Sequence, residues 1–361
     1  MIAVVYGTTG ELIKLAPLLR GLQDRGRAPL TICTGQQVRQ IPGFLRDFGL
    51  PQPDLWLRDP SERDLEHRSD IPRWASGVAR SFLRRRGSLG RRLARERSVL
   101  VVHGDTMTTL LGSMMGRMLR VPVAHVEAGM RSGRLRDPFP EEPIRRATSQ
   151  LAAVHFAPGV TAVANLHAAR VHGAIVNTFE NTIRDSLELA LSTAPAVAPV
   201  EQYGLVSLHR FELLGRPERL RAIIELLSEA ARRQPMLFVD HPVTAEAIRG
   251  AGLDGLFHDD FRRIPRERYS AFIGLLRSSR FLVTDSGGSQ EECAYLGLPC
   301  LVHRAVTEHA TGLDGSVVVS KLDLDVVRAF LEEPERRRHE PQPLVQSPTG
   351  VILDYLDENG F

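Results

Sequence analysis

Acidic side chains stand at the ends of apolar runs in this chain, the position from which a parallel α/β sheet addresses its ligands. Asp105 falls in His103-Gly104-Asp105-Thr106, Glu127 in Val126-Glu127-Ala128-Gly129, and Glu141-Glu142 directly after Pro138-Phe139-Pro140. Carboxylates gathered between apolar walls repel one another, and their proton affinities are driven apart. One residue type then supplies both a proton donor and a proton acceptor. Singly, each has a plainer reading, and Asp105 before Thr106 would simply cap a helix. Three of them after strand ends point to acid-base catalysis.

A second cluster, Thr284-Asp285-Ser286-Gly287-Gly288-Ser289-Gln290-Glu291-Glu292, reads as strand, turn and helix. Its glycines let the backbone approach a ligand, and amides at a helix start attract an anion such as a diphosphate. Glu292, one turn into the helix, would reach a ribose hydroxyl; the plainer reading is an ordinary strand-turn-helix connection. His209-Arg210, after Ser207-Leu208, would bear on phosphate charge, and His241 follows Val239-Asp240. The 12 histidines show no paired spacing with Cys or Asp that suits a tetrahedral metal. No Gly-x-Ser-x-Gly elbow supports a serine hydrolase.

Apolar runs of strand length alternate with helical patterns, which predicts a parallel sheet with helices on both faces. Ile2 to Tyr6 reads as a buried strand and Gly7-Thr8-Thr9-Gly10 as a turn. A helix from about Glu11 would bury Leu12, Leu15, Ala16, Leu19 and Leu22, with Pro17 bending it and Gly26 ending it. Strands are expected at Leu30 to Thr34, Val99 to His103, Val121 to Val126 and Val154 to Phe156, the last two completing a first sheet. A helix is expected around Leu110 to Met118. A second set begins at Leu205 to Leu208, continues with a helix from Pro217 to Arg232, and adds strands at Met236 to Val239, Phe281 to Thr284 and Cys300 to Val302. Asn181 to Val200, ending Ala-Pro-Ala-Val-Ala-Pro-Val, reads as a linker. Two doubly wound halves joined there would face a ligand cleft with the carboxyl ends of both sheets.

Composition narrows the class. At 361 residues, 43% hydrophobic and 25% charged, the chain can bury two cores and is too apolar for disorder. No apolar run reaches the roughly 18–20 residues that span a bilayer. Met1-Ile2-Ala3-Val4-Val5-Tyr6-Gly7 lacks the charged segment of a signal peptide, so a soluble cytoplasmic protein is expected. Lys14 and Lys321 are the only lysines among 46 basic residues. The densest run, Arg84-Arg85-Arg86 with Arg91, Arg92, Arg95 and Arg97, has no interleaved aromatics and reads as a solvated helix face; no nucleic-acid partner is expected. Cys33, Cys293 and Cys300 are too few and too scattered for a disulfide framework.

Taken in order, these strings resemble the non-hydrolysing bacterial UDP-N-acetylglucosamine 2-epimerases over nearly the whole chain. The likeness rests on Gly7-Thr8 with Glu11, Ile13 and Lys14, on His103 to Thr106, and on Val126-Glu127-Ala128-Gly129-Met130-Arg131. It continues with Pro140-Glu141-Glu142 and Arg145, Asn181-Thr182 and Asp185, His209-Arg210 and Glu212, and Asp285-Ser286-Gly287-Gly288 with Gln290-Glu291-Glu292. The resemblance implies a glycosyltransferase-B-like α/β fold of two Rossmann-like doubly wound domains. Residues 1–180 would carry the catalytic carboxylates, 181–348 would bind UDP, and a helix in 349–361 would cross back to the first domain. It implies Asp105, Glu127, Glu141 and His209 as catalytic residues. Lys14, Arg145, Phe272, Ser286, Gly287, Gly288 and Glu292 would bind substrate, with Phe272 on uracil and Glu292 on ribose. It further implies a homodimer, a UDP-sugar substrate, and no cofactor, metal or membrane.

The reaction so implied suits these side chains. The hydrogen on carbon 2 of the hexose becomes labile only as the bond from carbon 1 to UDP breaks. One carboxylate then takes the proton to leave a 2-acetamidoglucal, and another returns a proton to the opposite face as UDP re-adds. Asp105 and Glu127 are the expected pair, with Glu141 supporting. There are departures from the family pattern. Thr9-Gly10 replaces an arginine and proline, and His309, in Thr307-Glu308-His309-Ala310-Thr311, replaces an arginine that Arg304 or Arg134 would have to make good. Gln36-Gln37-Val38-Arg39-Gln40 departs from a stretch linked to activation by a second substrate molecule, so that regulation is expected to be absent or changed. The alternatives are a hydrolysing 2-epimerase that releases N-acetylmannosamine, a glycosyltransferase of the same fold, and a catalytically degenerate nucleotide-sugar-binding protein.

Overall fold

The computed structural model describes residues 1–65, 68–94, 96–133, 139–193, 202–307 and 309–361. It divides into two compact units, Met1–Leu189 with Val345–Phe361, and Ala190–Leu344. The first unit holds seven strands: β1 (Ile2–Tyr6), β2 (Leu30–Cys33), β3 (Leu55–Trp56), β4 (Val99–His103), β5 (Val123–Val126), β6 (Val154–Ala157) and β7 (Ala174–Asn177). They pair in parallel in the order β3-β2-β1-β4-β5-β6-β7. The central strands are buried along their length, and that requires the near-continuous apolar runs seen in their sequences. On one face, Val5, Ile32, Leu100 and Val102 pack with Trp74, Val78 and Phe82 of the helix Ile71–Leu93.

The second unit repeats the plan with β8 (Gly204–Ser207), β9 (Met236–Asp240), β10 (Phe261–Pro265), β11 (Leu282–Thr284), β12 (Cys300–Val302) and β13 (Val317–Val319). Their order is β10-β9-β8-β11-β12-β13, again all parallel. Val206, Phe238, Phe261 and Val283 meet Leu220, Ile223, Ile224 and Leu227 of the helix Pro217–Ala231. Strand order reverses between β1 and β4 in the first unit and between β8 and β11 in the second. Adjacent connections leave toward opposite faces at those points, and a crevice opens at the carboxyl ends.

Several sequence expectations need correction. Neither sheet is complete as read: β3, β7, β10 and β13 extend the edges. Edge strands escape notice because they are short or interrupted; β3 has two residues, and Arg262-Arg263 break the apolar run of β10. The first helix starts at Thr9, two residues early, because Thr8 caps it reciprocally with Glu11. Residues 181–200 are not a linker throughout. Ile183–Thr193 is a helix burying Ile183, Leu187 and Ala190 at helical spacing, and residues 194–200 lie outside the described residues. The terminal helix Pro348–Glu358 lies in the first unit, where Leu353 packs closely over Gly21 and Tyr355 meets Phe156 edge-on at 5.5 Å. Arg25 pairs with Asp354 at 2.7 Å, and Arg25 and Arg27 both pair with Asp357. Arg95, part of the basic run, lies outside the described residues.

Candidate active site

At the reversal point of the first sheet, Glu11 joins the two turns that follow β1 and β4. Its Oε2 accepts from the amides of Gly7 (2.8 Å) and Thr8 (2.9 Å), while Oε1 accepts from Thr106 Oγ1 (2.5 Å) and Thr109 Oγ1 (3.3 Å). Burial pushes the pKa of Glu11 up, against the pull of these donors. Lys14, one helical turn beyond Glu11, forms an ion pair with Glu127. Asn181 Nδ2 donates to the same Glu127 oxygen at 2.6 Å, and His103 Nε2 lies 3.8 Å from it. Glu127 has a φ of 65°, in the left-handed region that non-glycine residues seldom occupy. That strain carries its carboxylate off the end of β5 toward Gly104, where a Cβ would stand 3.7 Å from Oε1.

Asp105 follows β4 directly. Its Oδ2 meets Arg145 Nη2 at 2.5 Å, and Arg145 is 2% exposed. Thr106, not Asp105, caps the helix Met107–Leu119, so the plainer reading of Asp105 fails and its carboxylate is left to Arg145. Glu141 and Glu142 open the helix Glu141–Leu151 that carries Arg145. The two neighbours differ in role. Glu142 is fully buried, pairs within its helix with Arg146 (3.0 Å) and ties the helix to Arg131 (3.7 Å), whereas Glu141 is half-buried. Burial holds the His103 pKa down at about 4; Glu127 opposes the shift, and Lys14 and Arg145 add to it. His103 is a neutral imidazole facing an ion pair.

The second unit has its own cluster at its reversal point. Asp285, just past β11, accepts from the amides of His209 (2.9 Å) and Arg210 (2.8 Å), locking together the turns after β8 and β11. Its pKa is raised by burial, against those two bonds. His209 stacks obliquely on His241 with ring centres 4.5 Å apart, and His241 Nε2 lies 3.1 Å from Ser207 Oγ. Burial, with Arg210 and Arg266 close to His209, depresses its pKa to about 3; burial, then His209 and Arg266, does the same for His241. Ser286 caps the helix Gly287–Leu296, and the amides of Gly287 and Gly288 meet no acceptor among the described residues. Unpaired amides at a helix start of this kind can receive an anion. Five residues in, Glu292 accepts from the Tyr269 hydroxyl at 2.8 Å. Tyr269 opens the helix Tyr269–Ser278, which also carries the half-buried Phe272.

The predicted residues therefore form two groups: Lys14, Asp105, Glu127, Glu141 and Arg145 in one unit, and His209, Phe272, Ser286, Gly287, Gly288 and Glu292 in the other. Asn181, read as the start of a linker, is 3% exposed and bonds Glu127. Glu11, His103, Asp285 and Tyr269 were visible only as letters within strings, because what they do depends on residues distant in sequence. At the departures, the Thr9 amide and hydroxyl both donate to Gln37 Oε1, at 2.7 and 2.9 Å, and Gln36 Nε2 donates to Thr108 at 2.9 Å. His309 is buried against the Ser286-Gly287-Gly288 turn, 3.2 Å from Glu291, and a Cβ on Gly287 would lie 2.4 Å from His309 Nε2. Arg304 is buried just after β12; Arg134 lies outside the described residues.

Comparison with known proteins places the chain in a family. Residues 22–346 match the family model described as UDP-N-acetylglucosamine 2-epimerase. The Escherichia coli K12 enzyme of that name is 31% identical, over 99% of this chain and 98% of the relative. The Bacillus subtilis one is 30% identical, over 88% and 82%. A crystal structure of the Methanocaldococcus jannaschii UDP-GlcNAc 2-epimerase in complex with UDP-GlcNAc and UDP superposes with a TM-score of 0.82 at 26% identity, covering 99% of both chains. The Neisseria meningitidis enzyme bound to UDP-GlcNAc gives 0.78 at 27%, covering 99% of this chain and 100% of that one.

Proposed function

Since the chain belongs to the UDP-N-acetylglucosamine 2-epimerase family, we propose that its two clusters carry out the epimerisation of UDP-N-acetylglucosamine to UDP-N-acetylmannosamine through a 2-acetamidoglucal. The protein is an isomerase. In this reading the turn Ser286-Gly287-Gly288 and His209 hold the diphosphate, Glu292 takes the ribose, and Phe272 packs on uracil. The diphosphate leaves carbon 1 with the bonding electrons, and amides aimed at the charge it develops lower the barrier without having to reorganise. A carboxylate of the first unit removes the proton from carbon 2 and the double bond closes to carbon 1. On return, a diphosphate oxygen attacks carbon 1 while a second acid delivers a proton to the other face of carbon 2.

The observation that carries this reading is the pairing of two carboxylates with cations at neighbouring strand ends, Glu127 with the half-buried Lys14 and Asp105 with the buried Arg145. A cation beside each carboxylate offsets the charge that appears and disappears as the proton moves, while His103, neutral, adds none. The reading extends to a homodimer working in the cytoplasm, where light scattering on the purified chain tests the assembly. Among the described residues, no helix is long and apolar enough to cross a membrane.

Incubation with UDP-N-acetylglucosamine in heavy water, read by NMR, tests the reaction. The expected result is deuterium on carbon 2 of UDP-linked sugars of both configurations. Free N-acetylmannosamine would replace the proposal with hydrolysis, and nucleotide binding without exchange would replace it with a non-catalytic role.

A further inference from the structure

We propose that Tyr269 is a positioning residue that fixes the Glu292 carboxylate for a ribose diol and so makes the nucleotide site selective for ribo- over 2′-deoxyribonucleotides. The inference rests on the reading of Glu292 as the ribose-binding group.

Tyr269 is 5% exposed and Glu292 3%, so their hydrogen bond is shielded from water. The phenol donates to Oε1 at 2.8 Å. A bond from a neutral donor to a carboxylate is short and strong in such surroundings. Burial and the neighbouring carboxylate push the tyrosine pKa well above its usual value, so the hydroxyl keeps its proton and stays a donor at any working pH. A carboxylate free to turn can follow any single hydroxyl. One held by a third group presents its remaining lone pairs in a fixed plane, which matches two adjacent hydroxyls better than one. Discrimination against a ligand that lacks one hydroxyl rises when the acceptor cannot relax toward the other.

The fold joins this restraint to base recognition. Tyr269 is the first residue of the helix Tyr269–Ser278, and Phe272 is one turn along it. The same short helix therefore sets the ring expected at uracil and the hydroxyl that orients the sugar-binding acid. Below it, Ile273 and Leu276 are fully buried and fix the helix to its unit.

Calorimetric titration of the full chain with UDP and with 2′-deoxy-UDP tests the inference on the wild type, Tyr269→Phe and Glu292→Gln. The wild type should prefer UDP. Tyr269→Phe should bind UDP roughly tenfold more weakly, the scale of one hydrogen bond to a charged group, and bind 2′-deoxy-UDP nearly as before. In turnover, KM should rise while kcat holds. If Glu292→Gln narrows the preference and Tyr269→Phe does not, the positioning role is wrong and the ribose reading stands. If neither variant narrows it, the ribose reading itself fails. An equal loss for both nucleotides in Tyr269→Phe, the mark of a generally loosened site, also overturns the inference.

Discussion

Replacing Asp105 by Asn separates what this residue does for the fold from what it does for the reaction. Its Oδ2 stands 2.5 Å from Arg145 Nη2; the arginine side chain is 2% exposed and the aspartate 20%. Removing one partner of a buried pair costs about 3–5 kcal/mol. Water reaches the aspartate side, so the low end, about 3 kcal/mol, is expected. Both tryptophans, Trp56 and Trp74, lie in the first unit, and urea unfolding followed by their fluorescence reads that unit. Asp105→Asn combined with Arg145→Met removes both charges at similar volume and should recover most of the lost stability, because no buried guanidinium is then left without its counter-charge. Proton exchange at carbon 2 obeys a different rule. It should fall by about 10²–10⁴ in Asp105→Asn, the worth of general acid-base catalysis, and remain low in the double variant. Near-normal exchange in Asp105→Asn, or exchange returning together with stability in the double variant, would show that Asp105 serves packing and takes no part in moving the proton.

Two further outcomes follow from the same geometry. Burial drives the His125 pKa from 6.5 to about 3, although its Nε2 bonds Gly104 O at 2.7 Å. Unfolded, the imidazole takes up a proton below pH 6.5 while the native ring does not, so stability is full above that pH and falls as pH drops toward 3. His125→Gln should keep an amide donor for Gly104 and flatten the pH dependence of unfolding by up to about 1.4 kcal/mol per pH unit below neutrality; parallel slopes would refute it. Gly287→Ala places a Cβ 2.4 Å from His309 Nε2, against the edge of a buried ring whose other nitrogen faces Glu291. Overpacking of about 1–3 kcal/mol should weaken UDP binding by roughly 5- to 150-fold, and His309→Ala in the same chain should restore it. Unchanged UDP affinity in Gly287→Ala, measured by calorimetry, would remove His309 from the neighbourhood of the anion.

The parts of this molecule legible in its sequence are those whose signals are local. Central strands announce themselves as unbroken apolar runs because they are buried on both faces, and the Gly-containing turns that follow them are equally local. Val99 to His103 with Gly104-Asp105 is such a case; strand and turn stand where they were read. Edge strands have no such mark. Val317–Val319 is three residues long, and Ala174–Asn177 is only half-buried, so neither rises above the background of ordinary loops. The Asn181 to Val200 segment misled because its proline-rich end outweighed the helical spacing of Ile183, Leu187 and Ala190. A composition signal concentrated in a few residues hid a periodic signal spread over eleven.

Side-chain partnership is the part that local patterns cannot carry. Glu11, Glu127, Glu142 and Glu292 are chemically identical letters, and each is buried. Their neighbours make them different groups. Glu11 takes backbone amides and threonine hydroxyls; Glu142 takes two arginines; Glu127 takes a lysine and an amide; Glu292 takes a phenol. Only Glu127 combines a cation partner with a strained backbone at a strand end, and strain of that kind is retained where a fixed side-chain direction repays its cost. Lys14 lies 113 residues before Glu127 and Asn181 54 after it, so the constellation exists only once β1 and β5 are in one sheet. The sheet order that places β4 between them is what turns three distant acidic strings into acids of unequal surroundings, and unequal surroundings are what acid-base chemistry at one carbon requires.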